Sequence, residues 1–551
     1  MPASFDRDAE DAKLAAIRAE EEEDLVRIIS EKHGIPYVDL AFVPLNMDAL
    51  RIIPETEARS TEAAAFDKNG KHLSIAVRDP ETDAVAALLT RLSTLGYIVE
   101  QHLASRKSLE HAWERYADLS QAVADISGVF LISEERSRSE ELASVRALRS
   151  HISEVLSGKQ IQTSSLLEEL LASAILQKAS DIHFEPGEEG ARMRLRLNGV
   201  LTDVLLFPEH SYRLLNSRIK VLSGLKLNIT DRAQDGRFTA RSGARDIEVR
   251  VSAIPGNFGE SLVLRLLDPE ATKHDLASMG MHPKLLARVL EEIRRPNGML
   301  LTTGPTGSGK TTTLYACMQE IHTPSIKIIT IEDPVEYHLE GIVQTQVSLP
   351  DYTFASGLRS VLRQDPDVIM VGEIRDAEVA DVAIQAALTG HFVFSTLHTN
   401  DAAGAFPRLA DLEVDPKSFA SAVTVVMAQR LVRTLTPETK VARAATDDEK
   451  ALMQKVFEGI TDTTLIPASF DTVWSAADED TGYHGRTGVY EAIFMDDELG
   501  LFLRDNPSAS EVASRARTQG FPTMAQDAIL KVLAGVTSLE EVKRVVELPR
   551  L

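Results

Sequence analysis

Apolar residues recur along the chain with helical spacing in some regions and with strand-like alternation in others. In the first region, residues 25–116, both patterns occur, and this mixture predicts a compact α/β domain. The helical positions are Leu25, Ile28 and Ile29, then Ala84, Ala87, Leu88 and Leu92, with a strand-like run over residues 73–77 between them. Nothing in this region is arranged like a catalytic site.

A second region, residues 163–270, predicts an α+β domain. Ser165 and Glu168 have the spacing of a helix capping box, and an apolar helical stripe from Leu166 to Ile175 follows. Apolar residues then alternate with arginines up to Asn198 and Gly199, which have the composition of a two-residue hairpin turn. Further strands are predicted over residues 238–241, 246–252 and 261–267.

From residue 271 to 551, predicted strands and helices alternate. This alternation indicates a parallel sheet covered by helices on both faces, followed by a helical C-terminal part. Short β-branched or aromatic runs predict strands at residues 327–331, 368–371 and 392–395, and the alanine-rich segment 377–388 predicts a helix between two of them.

Two charged segments lie outside these regions. Residues 1–24 end in the acidic run 20–24 and are interpreted as a solvated helix or a mobile leader. Residues 117–162 are interpreted as a linker combined with a solvated helix. The chain of 551 residues is too long for one core, so about three or four domains are expected.

The formal net charge of −24 counts against a general nucleic-acid binder. The N-terminus lacks a signal-peptide pattern and no apolar stretch approaches the length of a membrane span, so a cytoplasmic protein is expected. The single cysteine, Cys317, excludes an internal disulfide and a multi-cysteine metal site, and a packed core thiol is expected there.

The most informative motif is a complete phosphate-binding loop between a predicted strand, residues 299–301, and a predicted helix. Glycines let backbone amides close around phosphate, Lys310 reaches the β- and γ-phosphates, and the Thr311 hydroxyl can complete a Mg²⁺ shell. The expected nucleotide contacts are Gly304, Pro305, Thr306, Gly307, Ser308, Gly309, Lys310, Thr311 and Thr312. ATP with Mg²⁺ is therefore the predicted ligand, and a structural glycine-rich turn is the alternative.

Carboxylates follow two of the predicted strands. Glu373 stands at the carboxyl end of strand 368–371, where it can polarise a water for attack on the γ-phosphate or hold Mg²⁺ through water; a surface acid is the alternative. Glu332, Asp333 and Glu336 follow strand 327–331 and are interpreted as a metal-side group, against an ordinary acidic turn.

Histidines and arginines complete the set of candidates. His391 and His398 bracket the strand at 392–395, and His398, just past its carboxyl end, is the better sensor of a γ-phosphate, although a single histidine is more often structural. Arg359 and Arg363 are four apart on one predicted helix, so both could reach one phosphate or carboxylate. Arg218, Arg237 and Arg250 of the preceding domain could also supply positive charge to the transition state if that domain closes on ATP. The alternative is that they are solvated surface arginines.

Taken together, these segments resemble the secretion ATPase superfamily, and most closely its type II secretion and type IV pilus assembly ATPases. The matching segments are GPTGSGKT (304–311), IEDPVE (331–336), LRQDPD (362–367) through GEIRD (372–376), TGH (389–391) through STLHTN (395–400), and also ASDIHFEP (179–186), QDGR (234–237) and GRTGVYE (485–491). The resemblance covers most of the chain from about residue 25 onward.

The resemblance implies a cytoplasmic homo-hexamer that associates with the inner membrane through its partners. It implies a RecA-like ATPase domain preceded by a PAS-like domain, with ATP between the two and Arg237 as a closing arginine. Lys310 and Thr311 would hold phosphate and Mg²⁺, Glu373 would be the Walker B acid, Glu332, Asp333 and Glu336 the Asp box, and His391 and His398 the His box. Hydrolysis would drive an inner-membrane platform protein and, indirectly, the assembly of pilin-like subunits.

One departure from the family is that residues 434–484 contain no cysteine, where many relatives carry paired cysteines that bind zinc; no zinc is therefore predicted.

The leading hypothesis is an extension motor for a pilus or pseudopilus, because retraction motors of the family usually lack the first domain. A DNA-uptake or DNA-translocating motor and a nucleotide-gated interaction module with little hydrolysis are the alternatives.

Overall fold

The computed structural model describes residues 23, 26–30, 32, 34–43, 45–50, 52–69, 71–116, 128–157, 162–268, 275–478 and 482–550, with the backbone alone at 47, 48, 69, 137 and 140. The chain divides into two units, Met1–Leu131 with Ile219–Lys226, and Ile132–Arg218 with Leu227–Leu551. Of the predicted leader only residue 23 is described; Leu25 and residues 117–127 and 158–161 of the predicted linker also lie outside the described residues.

The first unit is built on a three-stranded sheet with the order β1-β2-β3, in which β1 and β2 are antiparallel and β2 and β3 parallel. Its elements are α1 (Met47–Leu50), α2 (Glu55–Ser60), β1 (Ala63–Asn69), β2 (His72–Val77), α3 (Asp83–Thr94), β3 (Ile98–Leu103) and α4 (Arg106–Glu114). Helix α3 buries Val85, Leu88 and Leu92. The predicted core positions Ala84 and Ala87 are exposed, because the buried stripe begins at the bulkier Val85.

The first layer of the second unit contains six antiparallel strands in the order β8-β9-β10-β5-β6-β7. Strand β4 (Val129–Ile132) and helix α7 (Glu209–Leu222) each cross a boundary between the two units along the chain. The other elements of this layer are α5 (Val145–Ser157), α6 (Thr163–Leu176), β5 (Asp181–Gly187), β6 (Gly190–Leu197), β7 (Val200–Phe207), β8 (Gln234–Ser242), β9 (Arg245–Ile254) and β10 (Ser261–Leu267). The predicted hairpin is confirmed: β6 and β7 pair across Asn198 and Gly199, whose φ angles are 49° and 84°.

The predicted capping box at the start of α6 is wrong. The helix begins at Thr163, and no side chain caps it. Because the N-cap is Gln162, three residues before the predicted Ser165, Ser165 occupies the third helical position. The Glu168 carboxylate instead accepts a hydrogen bond from the Ser133 amide at 2.8 Å.

The second layer is a seven-stranded sheet with the order β13-β12-β14-β15-β11-β16-β19. Its elements begin with α8 (Pro283–Glu292), β11 (Gly298–Thr303), α9 (Lys310–Ile321), β12 (Ile328–Glu332), β13 (Val343–Gln346), α10 (Phe354–Val361), β14 (Val368–Val371), α11 (Ala377–Leu388), β15 (Phe392–Leu397), α12 (Ala405–Asp411), α13 (Pro416–Ala422) and β16 (Val423–Leu435). Every neighbouring pair is parallel except β16 and β19. The predicted parallel sheet is therefore confirmed, with one antiparallel edge strand in addition.

Both faces of this sheet are covered by apolar side chains. Met299 and Leu301 of β11 belong to one buried cluster, and Leu300 belongs to the other, as the alternation of a strand requires. The second cluster also contains Cys317 of α9, which is fully buried.

The C-terminal part follows β16. It comprises β17 (Val441–Ala444), α14 (Asp447–Val456), β18 (Thr472–Ser475), β19 (Tyr483–Phe494), α15 (Asp497–Leu503), α16 (Ala509–Ala516), α17 (Met524–Leu533) and α18 (Leu539–Val545). Within the described ranges, no helix combines the length and the apolar character needed to cross a membrane.

Candidate functional site

The phosphate-binding loop joins the fully buried strand β11 to the start of α9 at Lys310. Gly304 has a φ of 145°, and a Cβ atom there would lie 2.7 Å from the Gln429 carbonyl oxygen. Gly309 has a φ of 90°, and its Cβ would lie 3.0 Å from Gln429 Nε2. Both glycines are therefore required by the backbone conformation and by close packing. The loop ends at the N-terminus of α9, where unpaired backbone amides can bind an anion.

Lys310 is held over this loop. Its Nζ donates to the carbonyl oxygens of Gly304, at 2.8 Å, and Pro305, at 3.2 Å. Burial lowers the pKa of Lys310, and the nearby Glu373 carboxylate opposes that shift. The ammonium group is thus fixed at the place where a bound phosphate would lie.

The loop opens onto a cleft of about 490 Å³ between the two layers of the second unit. The loop and the seven-stranded sheet contribute Thr306 to Thr312, Glu332, Asp333, Glu336, Glu373, Arg375 and His398 to its lining. The six-stranded layer contributes Lys178, Ala179, Ser180, Ile247, Leu266 and Leu267. One wall therefore carries the phosphate-binding loop and several carboxylates, and the opposite wall combines apolar side chains with Lys178 and Asp268.

Glu373 lies just past β14, on the charged wall, with its side chain 12% exposed. Its Oε1 lies 2.5 Å from an Arg375 guanidinium nitrogen, and its Oε2 lies 3.2 Å from His398 Nε2. The structure thus brings together Glu373, His398 and the loop. Sequence reasoning did not single out Arg375, although its position two residues after Glu373 on a turn was a signal that the two side chains could meet.

Glu332 is buried, and both of its carboxylate oxygens accept hydrogen bonds from protein groups. The donors are the hydroxyls of Tyr315 and Thr330 and the amide of Gln344, the last at 3.2 Å. Burial raises the pKa of Glu332, and these three hydrogen bonds act against that shift. Asp333 and Glu336, by contrast, line the cleft.

The two histidines are at opposite ends of β15. His398 follows the strand at the cleft, whereas His391 precedes it, and its Nδ1 lies 3.1 Å from the Ala386 carbonyl oxygen. Because the cleft is at the carboxyl ends of the parallel strands, the structure does not bring His391 to it.

The predicted arginines fall into two groups. Arg250 donates to the Val335 carbonyl oxygen at 2.8 Å, and one of its nitrogens lies 4.0 Å from the Glu336 carboxylate, so it reaches the acidic segment from the six-stranded layer. Arg237 lies opposite Arg250 on the neighbouring strand β8, is exposed and does not line the cleft. Arg218, on α7, does not line it either.

The prediction of one α-helix carrying both Arg359 and Arg363 is wrong. Helix α10 ends at Val361, and a 3₁₀ turn over Leu362–Gln364 follows, so the two residues do not share an α-helical face. Arg359 pairs with Glu378 at 2.5 Å, and Arg363 donates to the Ser360 hydroxyl at 3.2 Å. Neither lines the cleft.

The residues predicted to hold Mg²⁺ can be compared with the lining of the cleft. Within the part of the chain that the structure describes, no group of three or more His, Cys, Asp or Glu side chains could hold a metal ion. The predicted Mg²⁺ contacts, Thr311 and Glu373, both line the cleft and offer the oxygen ligands that Mg²⁺ prefers, with phosphate oxygens and water completing its shell.

Two families of known proteins match the chain. Residues 157–544 match the type II/IV secretion system protein family, and residues 33–123 match the MshEN domain.

Curated relatives agree with the larger match. The type II secretion system protein E of Pseudomonas aeruginosa is 46% identical over 381 residues, which are 69% of this chain and 74% of that protein. The type II secretion system ATPase E of Vibrio cholerae is 45% identical over 385 residues, with coverages of 69% and 74%. The type IV pilus assembly ATPase PilB of Myxococcus xanthus is 35% identical over 538 residues, which are 96% of this chain and 92% of that protein.

A solved structure supports the same fold. The ATPase DotB of Legionella pneumophila matches with a TM-score of 0.51 at 24% identity, covering 69% of this chain and 95% of DotB. At this identity the likeness concerns the fold alone, and it agrees with the two-layered second unit described above.

Proposed function

The chain belongs to the type II/IV secretion system protein family, and on that basis we propose that it is a motor that hydrolyses ATP to drive assembly of a type IV pilus or a type II secretion pseudopilus. The observation that carries this proposal is the single cleft shared by the phosphate-binding loop, Glu373 and His398. The biological process is inferred from the names of the relatives, and the reaction is inferred from the residues that line the cleft.

In the proposed reaction, Glu373 orients the attacking water and accepts its proton, while Lys310 and the amides of the loop bind the β- and γ-phosphates. Thr311, and Glu373 through water, would hold Mg²⁺, which would supply positive charge next to the phosphates. His398, 3.2 Å from the Glu373 carboxylate, holds that group in position and responds to the γ-phosphate. The reaction converts ATP and water to ADP and phosphate.

Residues of the acidic segment have a supporting role in this proposal. Glu332 fixes the cleft wall through its three donors, and Asp333 and Glu336 face the metal side of the nucleotide. Arg250 already reaches the same segment from the six-stranded layer, so closure of that layer would carry Arg250, with Arg237 beside it, towards bound phosphate.

We propose that the motor works as a homo-hexamer in the cytoplasm. ATP hydrolysis there moves an inner-membrane platform protein, which adds pilin-like subunits. Two kinds of relative support two versions of the machine. The pilus ATPase aligns over 96% of the chain, including its first unit, and the secretion ATPases align at higher identity over 69%.

Turnover of ATP by the purified chain tests the enzymatic part. The Glu373→Gln variant should bind ATP but lose about 10²–10⁴-fold in kcat, the typical contribution of a general base. The Lys310→Ala variant should lose nucleotide binding as well, because its ammonium contacts the phosphates. Hydrolysis by Glu373→Gln at the wild-type rate would contradict the assigned role, and stimulation of wild-type turnover by DNA would favour a DNA motor.

The process is tested in the cell by replacing the gene with its Glu373→Gln version. Loss of surface pili, counted by electron microscopy, would support a pilus-extension motor. Unchanged pili with lost secretion would support the type II version, and an increase in pili would mean that the motor retracts them.

A further inference from the structure

Strand β16 extends beyond the end of β11 and contacts the phosphate-binding loop there. Thr303, the last residue of β11, pairs with Ala428, so Gln429 and Arg430 are the next two residues of β16. Gln429 is fully buried, and its Nε2 donates to the Ser308 carbonyl oxygen at 2.7 Å. One side of β16 therefore supports the loop that binds phosphate.

The other side of β16 supports the segment after β15, residues 398–402, here called the sensor loop. Arg430 donates to the Asn400 carbonyl oxygen at 2.7 Å. Glu491 of β19 lies opposite Ala428 and hence diagonal to Arg430 on the same face of the sheet, and its Oε1 accepts from the Ala402 amide at 2.9 Å. Two side chains of opposite charge thus hold the sensor loop.

The second oxygen of Glu491 reaches a different element. Its Oε2 accepts from the amide of Met524, the first residue of α17, at 3.0 Å. In the next turn of α17, Asp527 accepts from the Tyr490 amide at 2.8 Å. The Glu491 carboxylate therefore joins the sensor loop to the start of α17, while Asp527 joins α17 to β19 without contacting that loop.

His398, the first residue of the sensor loop, has its Nε2 atom 3.2 Å from the Glu373 carboxylate. At the loop's first residues, the Thr399 amide donates to the Thr303 hydroxyl at 2.8 Å, which ties it to the end of β11. Beyond Thr399, the side-chain contacts that reach the loop from β16 and β19 are those of Arg430 and Glu491. These two contacts hold the part of the sensor loop that follows His398 and Thr399.

We propose that Glu491 is a positioning residue for ATP hydrolysis. Its carboxylate keeps His398 against Glu373 and transmits movement of the sensor loop to α17, so that the nucleotide state reaches the C-terminal helices. This inference rests on the proposed ATPase function, and it assigns a role to the GRTGVYE segment, which the reaction itself does not use.

The test begins with Glu491→Gln. A glutamine has one carbonyl oxygen for two amide donors, and its NH₂ group would face the other N–H, so one of the two contacts is lost. Displacement of a catalytic group by about 1 Å costs on the order of 100-fold in rate, so we expect kcat to fall about 10- to 100-fold while the KM for ATP stays near the wild-type value. The phosphate-binding loop is held by Gln429 and should still bind nucleotide.

Asp527→Asn is the matched control. It also removes a carboxylate that accepts from a backbone amide at the same strand–helix junction, but Asp527 does not contact the sensor loop. Its other contact is the ion pair with Lys531, whose Nζ lies 2.5 Å from Asp527 Oδ2. The kcat of this variant should stay close to wild type. An equal loss of kcat in both variants would overturn the proposal in favour of a purely structural role.

A second measurement is the coupling of Glu491→Gln to His398→Ala. If Glu491 acts through His398, the double variant should be no slower than His398→Ala alone; independent, additive losses would overturn the proposal. Should Glu491→Gln fail to fold, Arg430→Lys, which loses the contact with Asn400 from the other side, decides by the same comparison. Wild-type turnover and Glu373→Gln are measured in parallel, so that a failure of the ATPase function itself is recognised separately.

Discussion

The hydroxyl of Tyr315 is the buried group whose removal gives the sharpest stability prediction. Tyr315 is fully buried on α9, and its hydroxyl donates to the Glu332 carboxylate and accepts from Gln344 Nε2 at 3.3 Å. The Tyr315→Phe variant deletes one oxygen atom and leaves the ring in place, so no sizeable cavity forms. The cost is therefore the loss of a hydrogen bond to a charged acceptor, about 1.5–3 kcal/mol of unfolding free energy.

The pH dependence of this cost follows from Glu332. Burial raises the pKa of Glu332 above its ordinary value of 4.5, so the wild type itself loses stability as the pH rises from 4.5 through the folded pKa. Tyr315→Phe removes a donor to the ionised form and raises that pKa further. The loss of unfolding free energy in Tyr315→Phe should be largest at pH values above the folded pKa of Glu332, where this carboxyl group is ionised. The loss should decrease as the pH falls below that pKa.

Thermal unfolding of nucleotide-free protein at several pH values measures this effect. Tyr352→Phe is the matched control, because the Tyr352 hydroxyl lies 2.9 Å from the Thr345 hydroxyl, a neutral partner. It should cost only about 0.5–1.5 kcal/mol, independent of pH. The reasoning is refuted if the two variants lower the Tm equally at all pH values.

Three further predictions concern the phosphate loop, an ion pair and zinc. Gly304→Ala should lose nucleotide binding in a fluorescent-ATP titration, because its Cβ would lie 2.7 Å from a carbonyl oxygen, whereas Gly243→Ala, with a φ of 61° and no atom within 4 Å, should bind normally. Arg443 lowers the pKa of Glu449 to about 2, so Glu449→Gln should reduce the Tm at pH 7, and the difference from wild type should fade between pH 4.5 and about 2. Metal analysis of the purified protein should find no stoichiometric zinc; one zinc per chain would contradict the prediction drawn from the absence of cysteine in residues 434–484.

Local patterns in the sequence were sufficient for the hairpin at Asn198 and Gly199, the helix Ala377–Leu388 and the phosphate loop. In each case the deciding interactions are between residues close in sequence, or the motif has a fixed geometry. The edge strand β19 was not predicted, because its pairing with β16 joins residues that are 48 to 69 positions apart in the sequence.

Two wrong sequence predictions concern the ends of helices, which the local pattern did not determine. Ser165 has good capping chemistry, but the helix start is set by where the chain enters it, and Glu168 finds a partner at Ser133. Arg359 and Arg363 have helical spacing, but α10 ends between them at Val361.

The site shows the difference between position along a strand and contact in space. Glu373 and His398 could be placed at strand ends from the sequence, whereas the role of Glu332 depends on Tyr315 and Gln344, which come from two other elements. Gln429 lies outside the motifs singled out in the sequence, and Glu491 lies in the GRTGVYE segment without an assigned role. The contacts of both residues become evident only when the strands are side by side.

The buried thiol of Cys317 has a practical consequence for measuring the motor at work. Burial raises the pKa of Cys317 to about 12, so at neutral pH only on the order of one thiol in 10⁵ is ionised, and the side chain is fully enclosed. A maleimide dye should therefore leave the native cysteine unlabelled. Because Cys317 is the only cysteine in the sequence, fluorophores could be attached at introduced surface cysteines without first replacing a native residue, and distances between them could be followed by energy transfer during turnover.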